Sequence, residues 1–401
     1  MAFNILEHVA LAYQPIWGGR RQLLGVRLRV QALDTGSVDA AHLLRVLEEE
    51  WSAQAPELLF SFADMALLQQ ALQQAPRWCW LEIPDFGDAV PPELVQAMAH
   101  ARGAGARLVQ SAPLGRFRAG AHSMADGFRC LFDLSSEPAQ QALAGAKAGQ
   151  PSPVLAGQLY QQLDSQALAH HCLDERQAWG VCGWPTEDVL RAHRSQGISV
   201  DKRTLVRLQQ LLMHEPTMDQ VEDLIHQDVV LTYRLLRLVN AAVFGANRQV
   251  ETIRQALMLL GQKKLRDWLL EQLPSASTDL DLLPVRQAMV LRARLMEALM
   301  NPGSQHALRA EILITGLFSQ LPRITHEALS VTLGRVPLSD AVQDALLRQQ
   351  GPYHAYLDIA RRMEDWGRLP QLAGVCEACG FPLDRANLAL VRILAHWRHA
   401  L

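Results

Sequence analysis

A chain of 401 residues, 49% hydrophobic and 20% charged with a formal net charge of -3 at pH 7, is too apolar for a disordered protein and long enough for two domains with separate cores. Split near residue 197, neither half carries the basic excess of a dedicated nucleic-acid binder, so no direct nucleic-acid partner is expected.

The opening "MAFNILEHVALAYQPIW" lacks a basic n-region and a cleavage site, and runs such as "ILITGLF" fall far short of a membrane span. A cytoplasmic protein is expected. In chain order, "LAYQPIW", "LLGVRLRV", "RWCWLEI", "ARLVQ", "FRCLFDL", "SPVLAG" and "AWGVCGW" are predicted strands, rich in Val, Leu, Trp and Phe and bounded by Gly, Pro or Asp. Helical segments lie between them, including "DAAHLLRVLEEEWSA", "SFADMALLQQALQQA" and "PPELVQAMAHARGAG". Such alternation predicts parallel strands with helical crossovers. Residues 1–197 are fewer than the roughly 250 usual for an eight-fold barrel, so a trimmed or open α/β barrel is expected.

One strand poses a question. In "LLGVRLRV", Arg27 and Arg29 alternate with Val26, Leu28 and Val30, so both guanidiniums leave by one face. They form either an anion clamp, because a guanidinium binds phosphate or carboxylate in fork geometry, or a pair of barrel residues matched to local acids such as Glu82 or Asp133. Trp179 and Trp184 are placed near the barrel mouth, where they either offer contact surface or, the favoured alternative, fill the core or rim.

From Ser199 the strand signals stop. "DKRTLVRLQQLLMH", "TMDQVEDLIHQD", "VLTYRLLRLVNAAVF", "ETIRQALMLLG" and "KKLRDWLLEQL" carry apolar residues at three- and four-residue spacing, which predicts an all-α second half. Gly261 sits where a helix C-cap belongs, and "PSASTDLD" breaks the helices again. The six cysteines are scattered; Cys376 and Cys379 in "CEAC" have no second pair at zinc spacing and read as helix-core thiols.

The stretch Asp228 to Leu273, "DVVLTYRLLRLVNAAVFGANRQVETIRQALMLLGQKKLRDWLLEQL", resembles the HDOD domain, a relative of the HD phosphohydrolase fold. "LFSQLPRITHEALSVTLGRVPLSDAVQDALL" and "GPYHAYLDIARRMEDW" resemble the C-terminal part of proteins in which HDOD follows an EAL domain. In the first half, "LAYQPIWGGRRQLLGVRLRV" looks like the opening of an EAL domain, and "FRCLFDL", "SPVLAGQL" and "VCGWP" resemble its later strands.

Intact EAL domains hydrolyse cyclic di-GMP through two divalent metals held by carboxylates and an Asn at strand ends, and arginine offers such metals no ligand. In this alignment Arg27 stands at the signature glutamate. Glu82 stands where the family has Asn, Gly157 replaces the acid of the "AE" strand, and Leu131 replaces the lysine before the Asp that survives as Asp133. No adjacent Asp pair occurs, and none of the fourteen histidines is followed by Asp, the pair through which HD hydrolases bind metal.

The resemblance therefore implies a degenerate EAL-like domain at 1–197 and an HDOD domain at 198–401. The expected protein is not an enzyme, binds no cofactor or metal, and works as an adaptor through contacts with other signalling proteins: cyclic di-GMP-linked enzymes, sensor kinases or regulators. The alternative is a receptor that binds cyclic di-GMP or a related anion without hydrolysis. Arg234, Arg237 and Arg248 form the expected partner surface, with Lys263, Lys264 and Arg266 as a second basic strip.

Overall fold

The alternation of charged and apolar residues in "LLGVRLRV" is that of a strand with one face turned into a packed interior. A computed structural model describes residues 4–34, 36, 38–87, 90–114, 128–147, 149–195, 197–242, 249–300 and 303–397, and the chain divides into two units. The first comprises Met1–Asp188 and Arg362–Ala400, the second Val189–Arg361.

In the first unit, β1 (Val9–Trp17), β2 (Leu23–Ala32), β3 (Glu57–Phe62), β4 (Trp80–Ile83), β5 (Arg107–Pro113), β6 (Phe128–Asp133), β7 (Leu159–Gln161) and β8 (Gly180–Cys182) close into a barrel in sequence order. β1 runs antiparallel to β2 and β8, and every other neighbouring pair is parallel. This corrects the expectation of a trimmed or open barrel: all eight strands are present, and length is saved because β7 and β8 are three residues each and β4 is four. Two element assignments also change. "ELLFSF" is β3, every residue after Glu57 being buried, and "SPVLAG" is a connection that ends just before β7.

The period of two sorts the interior into layers. Ile16, Leu59, Trp80, Val109, Leu131, Leu159 and Cys182 form a buried apolar cluster, with Leu24 and Trp179 packed against it. Two residues further along β3 to β7 stand Ser61, Glu82, Ser111, Asp133 and Gln161, so the layer nearer the C-terminal strand ends is polar.

β8 pairs with β1 only at Ile16 and Trp17, leaving the upper edge of β1 without a strand neighbour on that side. The helix Leu383–Ala395 fills the gap. Its fully buried Asn387 donates Nδ2–H to the carbonyls of Leu6 (2.8 Å) and Val9 (2.7 Å) and accepts from the Leu11 amide (3.2 Å), so one side chain supplies the bonds a strand would. Trp397 stands edge-on to Tyr13 and Trp17, and Arg392 bonds Glu50 through two nitrogens. The unit boundaries thus differ from the expected division at 197/198: the tail from Arg362 groups with the barrel because its buried polar and aromatic partners are there.

The second unit is helical. Lys202–Leu211, Met218–Ile225, Val229–Ala242, Ile253–Gln272, Leu282–Leu299 and His306–Phe318 are its longer helices. Thr217 and Thr252 each begin a helix with a capping box, closed by Gln220 and Gln255. Gly261, at φ 72°, breaks Ile253–Gln272 into two segments, a conformation glycine adopts without penalty. Gly316 lets two helices touch: an added Cβ there would lie 2.5 Å from Cα of Ala293. Fully buried Asp228 accepts from the amides of Val230 (2.8 Å), Leu231 (3.0 Å) and Asp201 (2.7 Å) and pairs with Arg286 (2.8 Å), so this acid starts one helix and anchors two other segments. No described helix is long and apolar enough to cross a membrane.

Candidate functional site

At the barrel mouth, Arg27 lies in the polar layer and is 5% exposed. Its Nε and Nη2 donate to the two oxygens of Glu82 at 2.6 and 2.5 Å, the fork geometry of a bidentate pair. Its Nη1 donates to Gln161 (2.7 Å) and Gln14 (3.2 Å), so all three nitrogens are engaged. Burial alone would push the Glu82 carboxyl up, but Arg27 and the hydroxyls of Ser61 and Ser111 hold it below the usual carboxylate range. Burial would likewise lower Arg27, and Glu82 reverses the sign.

The clamp pictured from the sequence therefore has Arg27 already occupied by a carboxylate of the same barrel. Arg29 differs. It donates to Ser61 Oγ (2.9 Å) and the Phe62 carbonyl (3.4 Å), has no carboxylate partner within salt-bridge distance among the described residues, and is pushed down by burial. Both guanidiniums lie against the ring of Trp366, at 4.4 Å for Arg27 and 5.3 Å for Arg29. Trp366 comes from the tail, and no signal in the strand sequences points to it.

The remaining aligned positions separate. Asp133 is in the polar layer, accepting from Gln161 Nε2 (3.2 Å) and from the amide and hydroxyl of Ser135. Leu131 belongs to the apolar layer. Gly157 precedes β7, and its carbonyl accepts from Arg129 at 2.6 Å. Its placement at the strand end is corrected: Gln161 is the β7 residue at the mouth. Trp179 packs beside Trp80 and Arg129 at the apolar layer, in keeping with core filling and away from the mouth.

On the helical unit, Arg237 is exposed, whereas Arg234 is half-buried, bonded to Gln272 (3.1 Å) and lowered by burial. Arg248 lies outside the described residues.

A second cluster escaped sequence reading. Ligating atoms of Asp219, Glu222 and His306 all lie within 4.8 Å of one another at a cavity of about 260 Å³. Burial, with Asp223 and Glu297 nearby, pushes Glu222 up to about 7. Burial, with Arg294 and His306, pushes His226 in the same cavity down to about 3. The available signal was Asp219, Glu222 and His226 at helical spacings of three and four.

Residues 200–321 match the family model of the HDOD domain, so an HDOD domain is present in the helical unit. The chain is 27% identical over 187 residues to the uncharacterized protein YuxH of Bacillus subtilis (strain 168), a match covering 44% of this chain and 43% of that protein. It is 29% identical over 181 residues to the cyclic di-GMP phosphodiesterase CdgJ of Vibrio cholerae serotype O1, covering 44% and 41%. The chain thus spans less than half the length of these curated relatives. Among solved structures, the MmoQ response regulator of Methylococcus capsulatus str. Bath aligns with 48% of this chain and 98% of its own at 20% identity and a TM-score of 0.38.

The similarity to a protein named a phosphodiesterase corrects the expectation that this chain is not an enzyme. That expectation rested on the strand ends of the barrel and on the lack of a His-Asp pair.

Proposed function

We propose that this protein is a signalling component of cyclic di-GMP-linked regulation, built from a divergent EAL-type barrel and an HDOD domain, and that its output passes through contacts with other signalling proteins. The HDOD match and the similarity to CdgJ support the pathway. The order of the strand motifs and the closed barrel support the EAL likeness. The observation that carries the output by contact is the filled mouth: Arg27 gives its fork to Glu82 in place of an external phosphate.

Arg237 tests this reading more cleanly than Arg234, whose bond to Gln272 makes its loss a structural change as well. With the full chain immobilised against candidate cyclic di-GMP enzymes, sensor kinases and regulators, Arg237→Ala is expected to weaken the bound partner by about 1–3 kcal/mol while leaving the melting curve unchanged. Equal affinity of wild type and variant for every partner would remove this strip from the proposal.

Arg29 favours a second reading, in which the mouth receives an anionic ligand such as cyclic di-GMP at that guanidinium, which makes its hydrogen bonds to Ser61 and the Phe62 carbonyl. Calorimetric titration with cyclic di-GMP in the absence of added metal tests it. Binding lost in Arg29→Ala supports a receptor, and no heat from wild type eliminates it.

A further inference from the structure

We infer that the helical unit contains a site for a divalent transition-metal ion, of the zinc type, formed by Asp219, Glu222 and His306 with His226 as a further donor. Thr217 fixes the start of the helix Met218–Ile225, and from there Asp219, Glu222 and His226 follow at intervals of three and four, which puts them along one face. His306 is the first residue of the helix His306–Phe318 and brings Nε2 to 3.5 Å from Glu222 Oε2. Among the described residues this is the one group of three or more His, Cys, Asp or Glu side chains whose ligating atoms are close enough to share an ion.

His226 is the independent observation. It is 4% exposed and lines the same cavity, and its Nε2 is a buried polar atom with no hydrogen-bond partner in the structure. Stranding such an atom costs free energy unless something satisfies it, and a metal ion accepts an imidazole lone pair directly. Asp219, Glu222 and His306 are the donors already within reach of one another, with His226 beside them in the cavity, and a donor set that includes imidazole suits Zn²⁺ and its neighbours better than Mg²⁺ or Ca²⁺, which take oxygen ligands.

The cluster also has a competitor. Arg254 bonds Asp219 and approaches Glu222 at 3.2 Å, standing where an ion would. Its side chain is 31% exposed, so it has a route outward. Arg294, which lines the same cavity, is matched to Asp223 (3.1 Å) and Glu297 (3.0 Å).

The test uses the full chain stripped of metal and titrated with Zn²⁺ against a chelating dye, with Co²⁺ absorption reporting the coordination geometry. One equivalent is expected to bind, with a tetrahedral Co²⁺ spectrum. Glu222→Gln and His306→Ala should each weaken binding by at least the roughly tenfold that loss of even an outer partner brings. Arg254→Ala should tighten it. His306 is exposed, so its variant separates ligand loss from misfolding, checked by an unchanged melting curve. Absence of stoichiometric binding in both wild type and Arg254→Ala, or binding that both ligand variants leave unchanged, overturns the inference.

Discussion

Replacing Asn387 by Leu keeps the number and branching of the side-chain heavy atoms and removes the polar end. The carbonyls of Leu6 and Val9 and the amide of Leu11 would then lose their partner at an edge no strand covers. A stranded buried polar group costs about 1–3 kcal/mol, with carbonyls toward the lower end because they tolerate under-satisfaction better. Three such groups give about 3–6 kcal/mol, a large share of the roughly 5–15 kcal/mol that stabilises an ordinary domain. Urea unfolding followed by tryptophan fluorescence reports this loss, because Trp17 and Trp397 meet at the affected contact. The barrel unit's midpoint is expected to fall sharply while the helical signal of the other unit keeps its own. A loss below about 1 kcal/mol would refute the assignment of Asn387 as the substitute strand.

Arg27→Met leaves Glu82 buried without its charge partner and should cost about 3–5 kcal/mol, whereas the double variant Arg27→Met, Glu82→Met should recover most of it; equal losses in the two would contradict a coupled pair. Because the folded Glu82 carboxyl lies below its ordinary 4.5, the stability it contributes is present above that value and lost as pH falls through the folded one. In Arg27→Met, burial, the largest influence on Glu82, is opposed only by the smaller effect of the Ser61 and Ser111 hydroxyls and raises this pKa, so the acid-side slope should reverse, which urea midpoints across pH 3 to 6 would record. Gly316→Ala drives a methyl against Ala293 and should destabilise the helical unit by about 1–3 kcal/mol, while Gly374→Ala, where an added Cβ meets nothing within 4 Å, should be harmless; paired thermal melts decide.

What could be read from the sequence followed local regularity. β2 was legible because two arginines alternate with three aliphatic residues, and the helix beginning at Ile253 because its cap and Gly261 bracket a periodic run. β3 was missed because a strand buried on both faces has no alternation, and "ELLFSF" runs straight into the polar start of the next helix. Gln161 was missed because a three-residue strand carries too little pattern to fix its register, so the signal shifted to "SPVLAG". Trp366, in a turn, and Asn387, inside a helix, matter through partners hundreds of residues away, and nothing in their local sequence marks them out. His306 illustrates the same limit: its role depends on Glu222, and only the packed helices bring them together.

The tail that completes the barrel also sets a timetable for synthesis. Residues 189–361 are continuous, so that unit can be whole while Asn387 and Trp397 have yet to be added. At roughly 5–20 residues per second, the ribosome needs on the order of 2–7 seconds to travel from Arg361 to Trp397. Helical domains rich in local contacts fold in microseconds to milliseconds, well within that interval. The nascent barrel meanwhile waits with the upper edge of β1 open, presenting unpaired backbone groups to any extended segment that passes. Chaperone demand during translation should therefore concentrate on the barrel residues up to Asp188, although they leave the ribosome before the helical unit does.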